Sequence, residues 1–267
     1  MIDLKDRVAI VTGGASGIGR GICLVLAECG ADVVVADIDA KRAEQVAAEV
    51  RAKGRKSMVA VVDVTKPASV AQMVKDVQAH FGNIDILVND AGVVGAPGWV
   101  EAPTHRVEDW DAVFEVNVKG VVIPSVAVAE HMKQRRSGKI VNIASGAGRQ
   151  GSPGFPHYSA SKAAVISWTQ AHAAELGPYN VNVNCVCPGV LWTPMWETIA
   201  TRTQRNNPQL KGLTIRQVFE KVAAPNNPLG REQTPEDVGK AVAFFASDDA
   251  RNITGQALNV NAGSRMN

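Results

Sequence analysis

The stretch YSASK, residues 158–162, contains the side chains of this sequence that are best suited to proton transfer. Tyr158 and Lys162 lie four residues apart, so in a helix both project from the same face. A free phenol has a pKa of about 10, and a neighbouring ammonium group stabilises the phenolate. We therefore expect Lys162 to lower the pKa of Tyr158 enough for it to act as a general base. The same spacing also suits an ordinary aromatic residue beside a solvated lysine, so the surrounding elements must decide.

The composition is typical of a globular protein and excludes some classes of partner. The chain has 267 residues, of which 46% are hydrophobic and 20% charged, and its 28 basic and 26 acidic residues give a net charge of +2. This length suits one large domain. Because the charges are dispersed, without a basic block, neither nucleic acid nor an anionic membrane is an expected partner.

The N-terminus and the cysteines narrow the prediction further. A strand is predicted from about Arg7, which leaves no room for a signal peptide, and no run of about 18 uncharged apolar residues occurs. We therefore predict a cytoplasmic protein. The cysteines Cys23, Cys29, Cys185 and Cys187 lack the spacing of a zinc site. We interpret them as small buried residues and predict no metal.

Strands and helices alternate along the whole chain. Seven Val- and Ile-rich stretches predict strands: RVAIVTG, DVVVADI, KSMVAVVDVT, IDILVNDAG, GKIVNIASG, VNVNCVCPG and QALNVNAG. Their continuous apolar character indicates strands that are buried on both faces, as in parallel sheets covered by helices. The fold class predicted is α/β: a Rossmann-type, doubly wound, seven-stranded and mostly parallel sheet with helices on both faces, in a single domain over residues 1–267.

A glycine-rich turn joins the first predicted strand to the first helix. In TGGASGIG, Gly13 permits a tight turn, Gly17 lets the backbone approach a pyrophosphate, and Gly19 lets the helix pack on the strand. Asp37 follows about twenty residues later, at the end of the second strand. A carboxylate there can bind both ribose hydroxyls of an adenosine, although a strand-end Asp can also simply begin a turn.

The charges around this turn favour NAD over NADP. Asp37 repels a 2′-phosphate, and Ser16 offers no positive charge to bind one. Arg20, Lys41 and Arg42 could in principle attract the 2′-phosphate of NADP, but Arg20 points back along a helix. The expected cofactor is therefore NAD(H), with NADP(H) as the alternative.

Six motifs in order resemble the short-chain dehydrogenase/reductase family. They are TG-x3-GIG at residues 12–19, NDAG at 89–92, Asn117 in EVNVKG, Ser145 in NIASG, YSASK at 158–162 and PGVLWT at 188–193. The resemblance covers the chain from residue 7 to its end. Together the six motifs are far more specific than any one of them.

The resemblance implies a catalytic set of four residues. Tyr158 would take the proton of a substrate hydroxyl while hydride leaves the same carbon, and Ser145 would hold the substrate oxygen. Lys162 would also bind the nicotinamide ribose and, together with the positive nicotinamide of the oxidised cofactor, would favour the phenolate form of Tyr158. Asn117 would anchor a water that carries the proton away. Without the other members, Asn117 is equally well interpreted as a polar residue that satisfies helix backbone.

The resemblance also implies the cofactor contacts. Asp63 and Val64 would flank the adenine, and Asn89, Ala91 and Gly92 would lie on its ribose side. The nicotinamide carboxamide would be held at the end of the sixth strand. The full set of cofactor-binding residues predicted is Gly13, Ser16, Gly17, Ile18, Gly19, Asp37, Asp63, Val64, Asn89, Ala91, Gly92, Tyr158, Lys162, Pro188, Gly189, Val190 and Thr193.

Two residues depart from the pattern that the family usually shows. Asp90 stands where a second asparagine is common, and an ionised carboxylate cannot donate a hydrogen bond. Asn261 stands where the family commonly has Asp. We expect both departures to affect sheet bracing or subunit packing and neither to affect the chemistry.

A long segment, residues 194–227, predicts a substrate lid at the carboxyl edge of the sheet. Trp192, Met195 and Trp196 would line its underside, or they would only hold the lid closed. TPMWETI resembles the corresponding stretch of NAD-dependent acetoin/butanediol and polyol dehydrogenases, which suggests a small diol, polyol or sugar alcohol.

Loop residues complete the predicted substrate pocket. Gln150 and His157 could reach substrate hydroxyls, although such residues more often face water. Val94, Gly95 and Trp99 would close its other side. The set predicted to contact substrate is Ser145, Gln150, His157, Tyr158, Trp192, Met195 and Trp196.

The function predicted is therefore NAD-dependent interconversion of a secondary alcohol and its ketone. One alternative is an NADP-dependent 3-ketoacyl-type or other carbonyl reductase, for which Ser16 and Ile38 are the wrong residues. The other is a regulatory protein that binds NAD(H) without catalysis, which would be expected to have lost one of the four catalytic residues. The resemblance also implies a homotetramer built through helices at 107–136 and 156–176.

Overall fold

The computed structural model describes residues 2–223 and 227–267. Seven strands form one sheet in the order β3-β2-β1-β4-β5-β6-β7, and every pair of neighbouring strands is parallel. The strands are β1 Val8–Thr12, β2 Asp32–Asp37, β3 Ser57–Val61, β4 Ile86–Asn89, β5 Gly138–Ile143, β6 Val181–Pro188 and β7 Ala257–Val260. Each lies within one of the seven predicted stretches, so the predicted doubly wound sheet is confirmed.

The apolar strand residues face two separate cores, one on each side of the sheet. Along β1, Ala9 and Val11 join one core, whereas Val8 and Ile10 join the other. Successive side chains of a strand point to opposite faces, so a strand buried on both faces must be apolar throughout. This is why these strands show no polar alternation in the sequence.

Nine α-helices are found in the described residues. They are α1 Gly17–Glu28, α2 Ala40–Ala52, α3 Pro67–Phe81, α4 Val107–Phe114, α5 Gly120–Arg135, α6 Pro156–Leu176, α7 Pro194–Asn206, α8 Ile215–Ala223 and α9 Pro235–Ala246. Helices α1, α2 and α9 cover one face of the sheet, and α3, α5 and α6 cover the other. Proline at the first turn of α3, as expected from Pro67, is compatible with the N–H groups that have no helical partner there.

A π-helical turn, Glu115–Lys119, joins α4 to α5. Among the described residues, the continuous helical run Val107–Arg135 has the length and hydropathy of a helix that could cross a membrane. Of its most apolar window, 44% is buried inside the protein, and core helices of soluble proteins pass the same test. The predicted absence of a membrane partner therefore stays a prediction.

The predicted lid segment contains two helices. Helices α7 and α8 lie within residues 194–223 and pack together through an apolar cluster that includes Ala200, Val218 and Phe219. Residues 224–226 of the predicted lid lie outside the described residues. The role of the segment as a lid stays a prediction.

Helices α1 and α9 approach each other closely at two glycines. A Cβ atom on Gly21 would stand 2.8 Å from the carbonyl carbon of Pro235 and 3.0 Å from its oxygen. A Cβ atom on Gly239 would stand 2.8 Å from Cγ2 of Val25. Because α1 begins at the glycine-rich turn, this contact fixes the position of that turn.

We predict that Gly21→Ala lowers the free energy of unfolding by about 1–3 kcal/mol, because backbone must move to admit the methyl group. Urea unfolding followed by circular dichroism measures the change. Gly177→Ala is the matched control, since no atom lies within 4 Å of its added Cβ and its φ is −53°. Equal effects of the two substitutions would contradict this account of the α1–α9 contact.

Candidate active site

The carboxyl ends of β1 and β4 meet at the side chain of Thr12. Its buried hydroxyl accepts hydrogen bonds from the backbone N–H groups of Asp90 (3.2 Å) and Ala91 (3.4 Å). Gly13 follows with φ +69°, and a Cβ there would stand 2.8 Å from the backbone of Ala91. Only glycine satisfies both constraints, so this close approach explains the first glycine of the motif.

The rest of the glycine loop leads into α1. A Cβ on Gly19 would collide with the carbonyl oxygen of Gly13, whereas Gly17 (φ +51°) faces the side chain of Thr193 at 3.6 Å. Ser16 is the N-cap of α1, and its side chain makes no capping hydrogen bond. Ile18 is half-buried against the core. The loop thus presents backbone N–H groups at a helix N-terminus, the arrangement that binds phosphate groups.

Asp37 is held against this loop by two backbone N–H groups. Its Oδ2 accepts from Ala15 (3.0 Å) and its Oδ1 accepts from Asp39 (3.0 Å). These bonds fix the carboxylate at the carboxyl end of β2, beside the phosphate-binding turn. An acid so placed can accept hydrogen bonds from ribose hydroxyls.

The cation nearest in sequence to the loop is neutralised. Arg20 donates to both carboxylate oxygens of Glu49, at 3.1 Å and 2.5 Å. Arg42 lies within 3.5 Å of Asp39. Two of the three basic residues that could attract a 2′-phosphate are therefore paired with acids.

Ser145, Tyr158 and Lys162 are brought together by β5 and α6. Lys162 is buried, and its Nζ donates to the carbonyl oxygen of Ile143 (2.8 Å) and lies 5.7 Å from the centroid of the Tyr158 ring. The hydroxyl of Ser145, just after β5, accepts from the N–H of Ala147 (3.1 Å) and acts to lower the pKa of Tyr158. The expected grouping on one helix face is present.

Lys162 by itself does not lower the pKa of Tyr158, and the contribution expected from a positive nicotinamide stays a prediction. Burial raises the pKa of Tyr158 to about 12; the hydrogen bond from Ser145 opposes this rise, and the negative charge of Asp90 adds to it. Lys162 does not reverse the effect, because it donates to a backbone carbonyl and burial also lowers its own pKa. Desolvation outweighs the neighbouring ammonium here.

Asn117 connects the loop after β4 to α6. Its Oδ1 accepts from the N–H of Val93 (2.8 Å), and its Nδ2 donates to the carbonyl of Val93 (2.9 Å) and to Ser161 Oγ (3.2 Å). The residue lies in the π-helical turn, a feature frequent at functional sites. Its side chain is fully engaged, so the water-anchoring role implied by resemblance would fall to its backbone.

Asp90 acts on the pKa values of Tyr158 and Lys162, an electrostatic effect that the sequence did not lead us to expect. Its charge raises the pKa of Tyr158 and opposes the lowering of the Lys162 pKa by burial. Burial raises the pKa of Asp90 itself to about 8, against the charge of Lys162 and a hydrogen bond from the N–H of Gly19. The sequence shows the substitution but cannot show this proximity, which depends on how β4 packs beside α1 and α6.

The residues expected around the adenine divide into two groups. Asp63 lies half-buried at the carboxyl end of the sheet, and the hydroxyl and N–H of Thr65 lower its pKa by donating to Oδ1. Val64 instead turns its side chain into the core, close to Gly120. Asn89 donates its amide to Ser125 (2.9 Å) and Asn142 (2.8 Å). The side chains of Val64 and Asn89 thus stabilise the fold, and only their backbones remain for a cofactor contact.

The residues expected around the nicotinamide lie at the end of β6 and the start of α7. Pro188 ends β6, and the N–H of Gly189 bonds to the carbonyl of Val260 (2.9 Å). Thr193 is the N-cap of α7, and its Oγ1 accepts from Trp196 N (3.4 Å). Val190 packs against the lid helices. Gly92, on the opposite side, lies where a Cβ would stand 3.3 Å from Asn117 Oδ1 and 3.7 Å from Lys162 Nζ.

Asn261, the second departure from the family pattern, organises the C-terminal turn. Its Nδ2 donates to the carbonyl of Arg265 (3.0 Å), and its Oδ1 accepts from Gly263 N (3.1 Å). A Cβ on Gly189 would stand 2.8 Å from the Cα of Asn261, so this turn packs directly against the end of β6.

An apolar cluster surrounds the ring of Tyr158. Its buried members are Val94, Trp99 and Ile199, and the half-buried residues Val100, Phe155, Met195 and Trp196 pack against it. Met195 and Trp196 therefore belong to the same apolar cluster as Tyr158, and their contact with substrate stays a prediction. Trp99, after β4, is a buried member of this cluster, and a Cβ on Gly95 would collide with its ring.

Three expected substrate residues lie elsewhere. Trp192 packs edge-on against Phe219 of α8, 5.1 Å between centroids, and so holds α7 and α8 together. His157 is completely buried, and its Nε2 is bonded to the carbonyl oxygen of Val94 (2.9 Å). It precedes Tyr158 by one residue in α6, so its side chain points about 100° away from that of the tyrosine. Gln150 is exposed on its loop. The geometry does not support a substrate contact for Trp192 or His157.

Sequence reasoning missed two apolar neighbours of Tyr158. Phe155 meets the tyrosine ring edge-on, with centroids 6.0 Å apart, and Ile199 joins the same cluster from α7. Ile199 stands four residues after Met195, a helical spacing that could have indicated it. Phe155 precedes α6, where no periodic pattern operates.

The cysteines and acidic residues provide no metal site in the described residues. No group of three or more His, Cys, Asp or Glu there could hold a metal ion. Cys23, Cys185 and Cys187 are buried, Cys29 is half-buried, and all four are free thiols.

The residues present fit an adenine dinucleotide. Gly17 leaves open a space between the N-termini of α1 and α7 that a side chain would enter, and the Asp37 carboxylate lies beside the same loop. When bound, the nicotinamide of such a dinucleotide supplies the hydride acceptor or donor. A phosphate loop, a ribose-binding acid and a Ser-Tyr-Lys group at one sheet edge define a dinucleotide-dependent oxidoreductase.

Residues 7–204 match the family model described as short chain dehydrogenase. The chain belongs to this family, whose members act on alcohols and ketones.

Three relatives cover the chain almost completely. It is 39% identical to the (2S)-((R)-hydroxy(phenyl)methyl)succinyl-CoA dehydrogenase subunit BbsD of Thauera aromatica, over 98% of both chains. It is 38% identical to galactitol 2-dehydrogenase of Agrobacterium fabrum, over 98% of this chain and 99% of the relative. It is 35% identical to the 3-oxoacyl-(acyl-carrier-protein) reductase FabG of Thermotoga maritima, over 97% and 98%.

A solved structure agrees with the fold and the class of cofactor. The crystal structure of NAD+-bound xylitol dehydrogenase superposes with a TM-score of 0.88 at 33% identity, over 97% of this chain and 99% of that chain. The chain is thus an NAD(P)-dependent alcohol dehydrogenase or ketone reductase.

We predict that Tyr158→Phe lowers turnover by about 10²- to 10⁴-fold while dinucleotide binding is unchanged, because only the hydroxyl that transfers the proton is lost. Steady-state assays of alcohol oxidation and fluorescence titration with NADH measure the two quantities. Tyr179→Phe is the matched control, since Tyr179 is the second of the two tyrosines and is 38% exposed. A fully active Tyr158→Phe variant would overturn the assignment.

Proposed function

We propose that the protein is an NAD-dependent dehydrogenase that interconverts a secondary alcohol and its ketone. The observation that carries this proposal is that Ser145, Tyr158 and Lys162 lie close together at the same sheet edge as the Asp37 carboxylate. Ser145 would hold the substrate oxygen, Tyr158 would exchange its proton, and Lys162 would bind the nicotinamide ribose. Asn117 would hold the loop after β4 in place beside them.

The preference for NAD is supported by charge. Asp37 is fixed by two N–H groups where it would face the adenosine ribose, and Arg20 is paired with Glu49. Ile38, which follows Asp37, is 73% exposed and uncharged. A 2′-phosphate would thus meet a carboxylate and no unpaired guanidinium. The NAD+-bound state of xylitol dehydrogenase, a structural neighbour, agrees with this preference.

We predict that the double variant Asp37→Ser/Ile38→Arg raises kcat/KM with NADP relative to NAD by at least about tenfold, or about 1.4 kcal/mol. The substitutions remove the repelling carboxylate and supply a guanidinium for the 2′-phosphate. Asp76→Ser is the control, because Asp76 lies exposed on α3 and takes no part in the proposed contact. Unchanged NAD preference in the double variant would contradict the role of Asp37.

The substrate class is the finer part of the proposal. The small diol, polyol or sugar alcohol indicated by sequence is supported by the names of galactitol 2-dehydrogenase and xylitol dehydrogenase. The wall beside Tyr158 is apolar, however, with Phe155, Met195 and Trp196 packed around it. Such a wall favours a carbinol carbon that carries an apolar substituent, because the hydroxyls of a hexitol would lose their hydrogen bonds to water there. The name of the Thauera aromatica relative contains such a carbinol, with a phenyl group.

We predict a larger kcat/KM with NAD for cyclopentanol, cyclohexanol and 1-phenylethanol than for xylitol, galactitol or 2,3-butanediol. NADH formation by the purified protein measures it. Met195→Gln, which places an amide in the apolar wall, is expected to reduce the difference between the two groups. Faster oxidation of the hexitol and pentitol by the unmodified protein would instead establish the polyol class.

Two alternatives have less support. A 3-ketoacyl reductase, the activity in the name of the FabG relative, would need a basic residue at position 16 or 38, where the chain has Ser16 and Ile38. A non-catalytic NAD(H)-binding protein would not be expected to keep all four residues of the catalytic set in bonded positions. Turnover of any alcohol in the panel disposes of the second alternative.

The quaternary structure and location are also proposals. Helices α4 and α5 carry the exposed apolar side chains Val107, Trp110 and Val126, which a partner subunit could cover. The homotetramer and the cytoplasmic location implied by the sequence stay predictions.

A further inference from the structure

Asp90 places a carboxyl group directly behind the glycine loop. Its Oδ2 lies 2.8 Å from the position that a Cβ on Gly19 would take, and the N–H of Gly19 donates a hydrogen bond to it. Its backbone N–H is bonded to Thr12, and a Cβ on Gly13 would stand 3.1 Å from its carbonyl carbon. The carboxyl group is therefore wedged between the turn after β1 and the first turn of α1.

The carboxyl group has no cation within ion-pair distance in the described part of the chain. The cation that acts on it, Lys162, gives its hydrogen bond to Ile143 instead. A second carboxylate, Asp37, lies at the same end of the sheet. The dinucleotide would bring two further negative charges to this loop, because each phosphate of its pyrophosphate is ionised.

The groups that face Asp90 come from three elements. Helix α1 contributes the N–H of Gly19 and the thiol of Cys23, whose pKa is raised by burial and so stays neutral. Strand β2 contributes Asp37, and α6 contributes Lys162 and Tyr158. Burial raises the pKa of Asp90 to about 8, Lys162 and Gly19 lower it, and Asp37 raises it. The carboxyl group therefore changes charge at moderately alkaline pH.

We propose that Asp90 is a positioning residue whose own proton sets the affinity for the dinucleotide: the neutral carboxyl group allows the pyrophosphate to bind at the glycine loop, and the ionised carboxylate opposes it. The inference rests on the NAD-dependent function proposed above. The carboxylate would compete with phosphate for the helix N-terminus and would repel it through a partly desolvated loop. Binding above the pKa of Asp90 then takes up at most one proton from solvent per site.

The sign of the pH dependence follows. Below about pH 7 the carboxyl group is neutral and affinity is at its highest. As pH rises through 8 the group ionises in the free protein, and affinity falls with each further unit. An asparagine at this position cannot ionise, so the affinity of the Asp90→Asn variant for the dinucleotide does not fall over this pH range.

Calorimetric titration with ADP-ribose tests the proposal. ADP-ribose carries the pyrophosphate and both riboses without the nicotinamide ring, so its binding reports the glycine loop without the charge of that ring. For the unmodified protein we expect affinity to fall about fivefold from pH 7 to pH 9, which corresponds to a rise of about one unit in the pKa of Asp90 on binding. Titrations at pH 8 in two buffers of different ionisation enthalpy should show proton uptake. Asp90→Asn should bind equally well at both pH values and take up no proton.

Asp76→Asn is the matched control, because it removes one carboxylate from the exposed side of α3. It should keep the pH dependence and the proton uptake of the unmodified protein. Affinity of the unmodified protein that is independent of pH, or proton uptake that persists in Asp90→Asn, overturns the role of Asp90 and leaves the NAD-dependent function intact. Absence of ADP-ribose binding at pH 7 overturns both proposals.

Discussion

The hydroxyl of Thr12 joins the carboxyl ends of β1 and β4, and the site is arranged on either side of that junction. It accepts from two successive N–H groups, those of Asp90 and Ala91, which no longer belong to the ladder of the sheet. The β1 side continues into Gly13 and α1, and so into the phosphate loop. The β4 side continues into Gly92 and Val93, and so to Lys162 and Asn117. One buried hydroxyl thus sets the distance between the cofactor side and the catalytic side.

Burial, more than pairing of charges, determines the electrostatics of the site. Tyr158, Lys162 and Asp90 are all desolvated, and in each case desolvation is the largest influence on the pKa and favours the neutral form. The charge of Lys162 partly offsets the rise in the pKa of Asp90, and the charge of Asp90 partly offsets the fall in the pKa of Lys162. Burial therefore disfavours charge at all three groups, in a region that must accommodate both an anionic pyrophosphate and, in the oxidised dinucleotide, a cationic ring.

The sequence was sufficient to predict what depends on local pattern. Strand positions follow from continuous apolar runs, and the Tyr158–Lys162 pair follows from helical spacing. It could not predict what depends on packing between distant segments. Asn89 turns towards Ser125 and Asn142, which lie 36 and 53 residues away, and Val64 turns towards Gly120. The effect of burial on the Tyr158 pKa could not be predicted for the same reason, because spacing shows a neighbouring ammonium and not the depth of burial.

The π-helical turn at Glu115–Lys119 interrupts the α-helical repeat within the helical run from Val107 to Arg135. Each residue of an α-helix advances by about 100°, so one residue fewer in this turn would rotate everything before it relative to everything after it. Asn117 would then face away from Val93 and Ser161, while the apolar side of α5 kept its place on the core. The number of residues in this turn therefore sets the direction in which Asn117 points. Among homologous chains, a single-residue deletion here indicates that the contacts of Asn117 with Val93 and Ser161 are lost, even where the other motifs are retained.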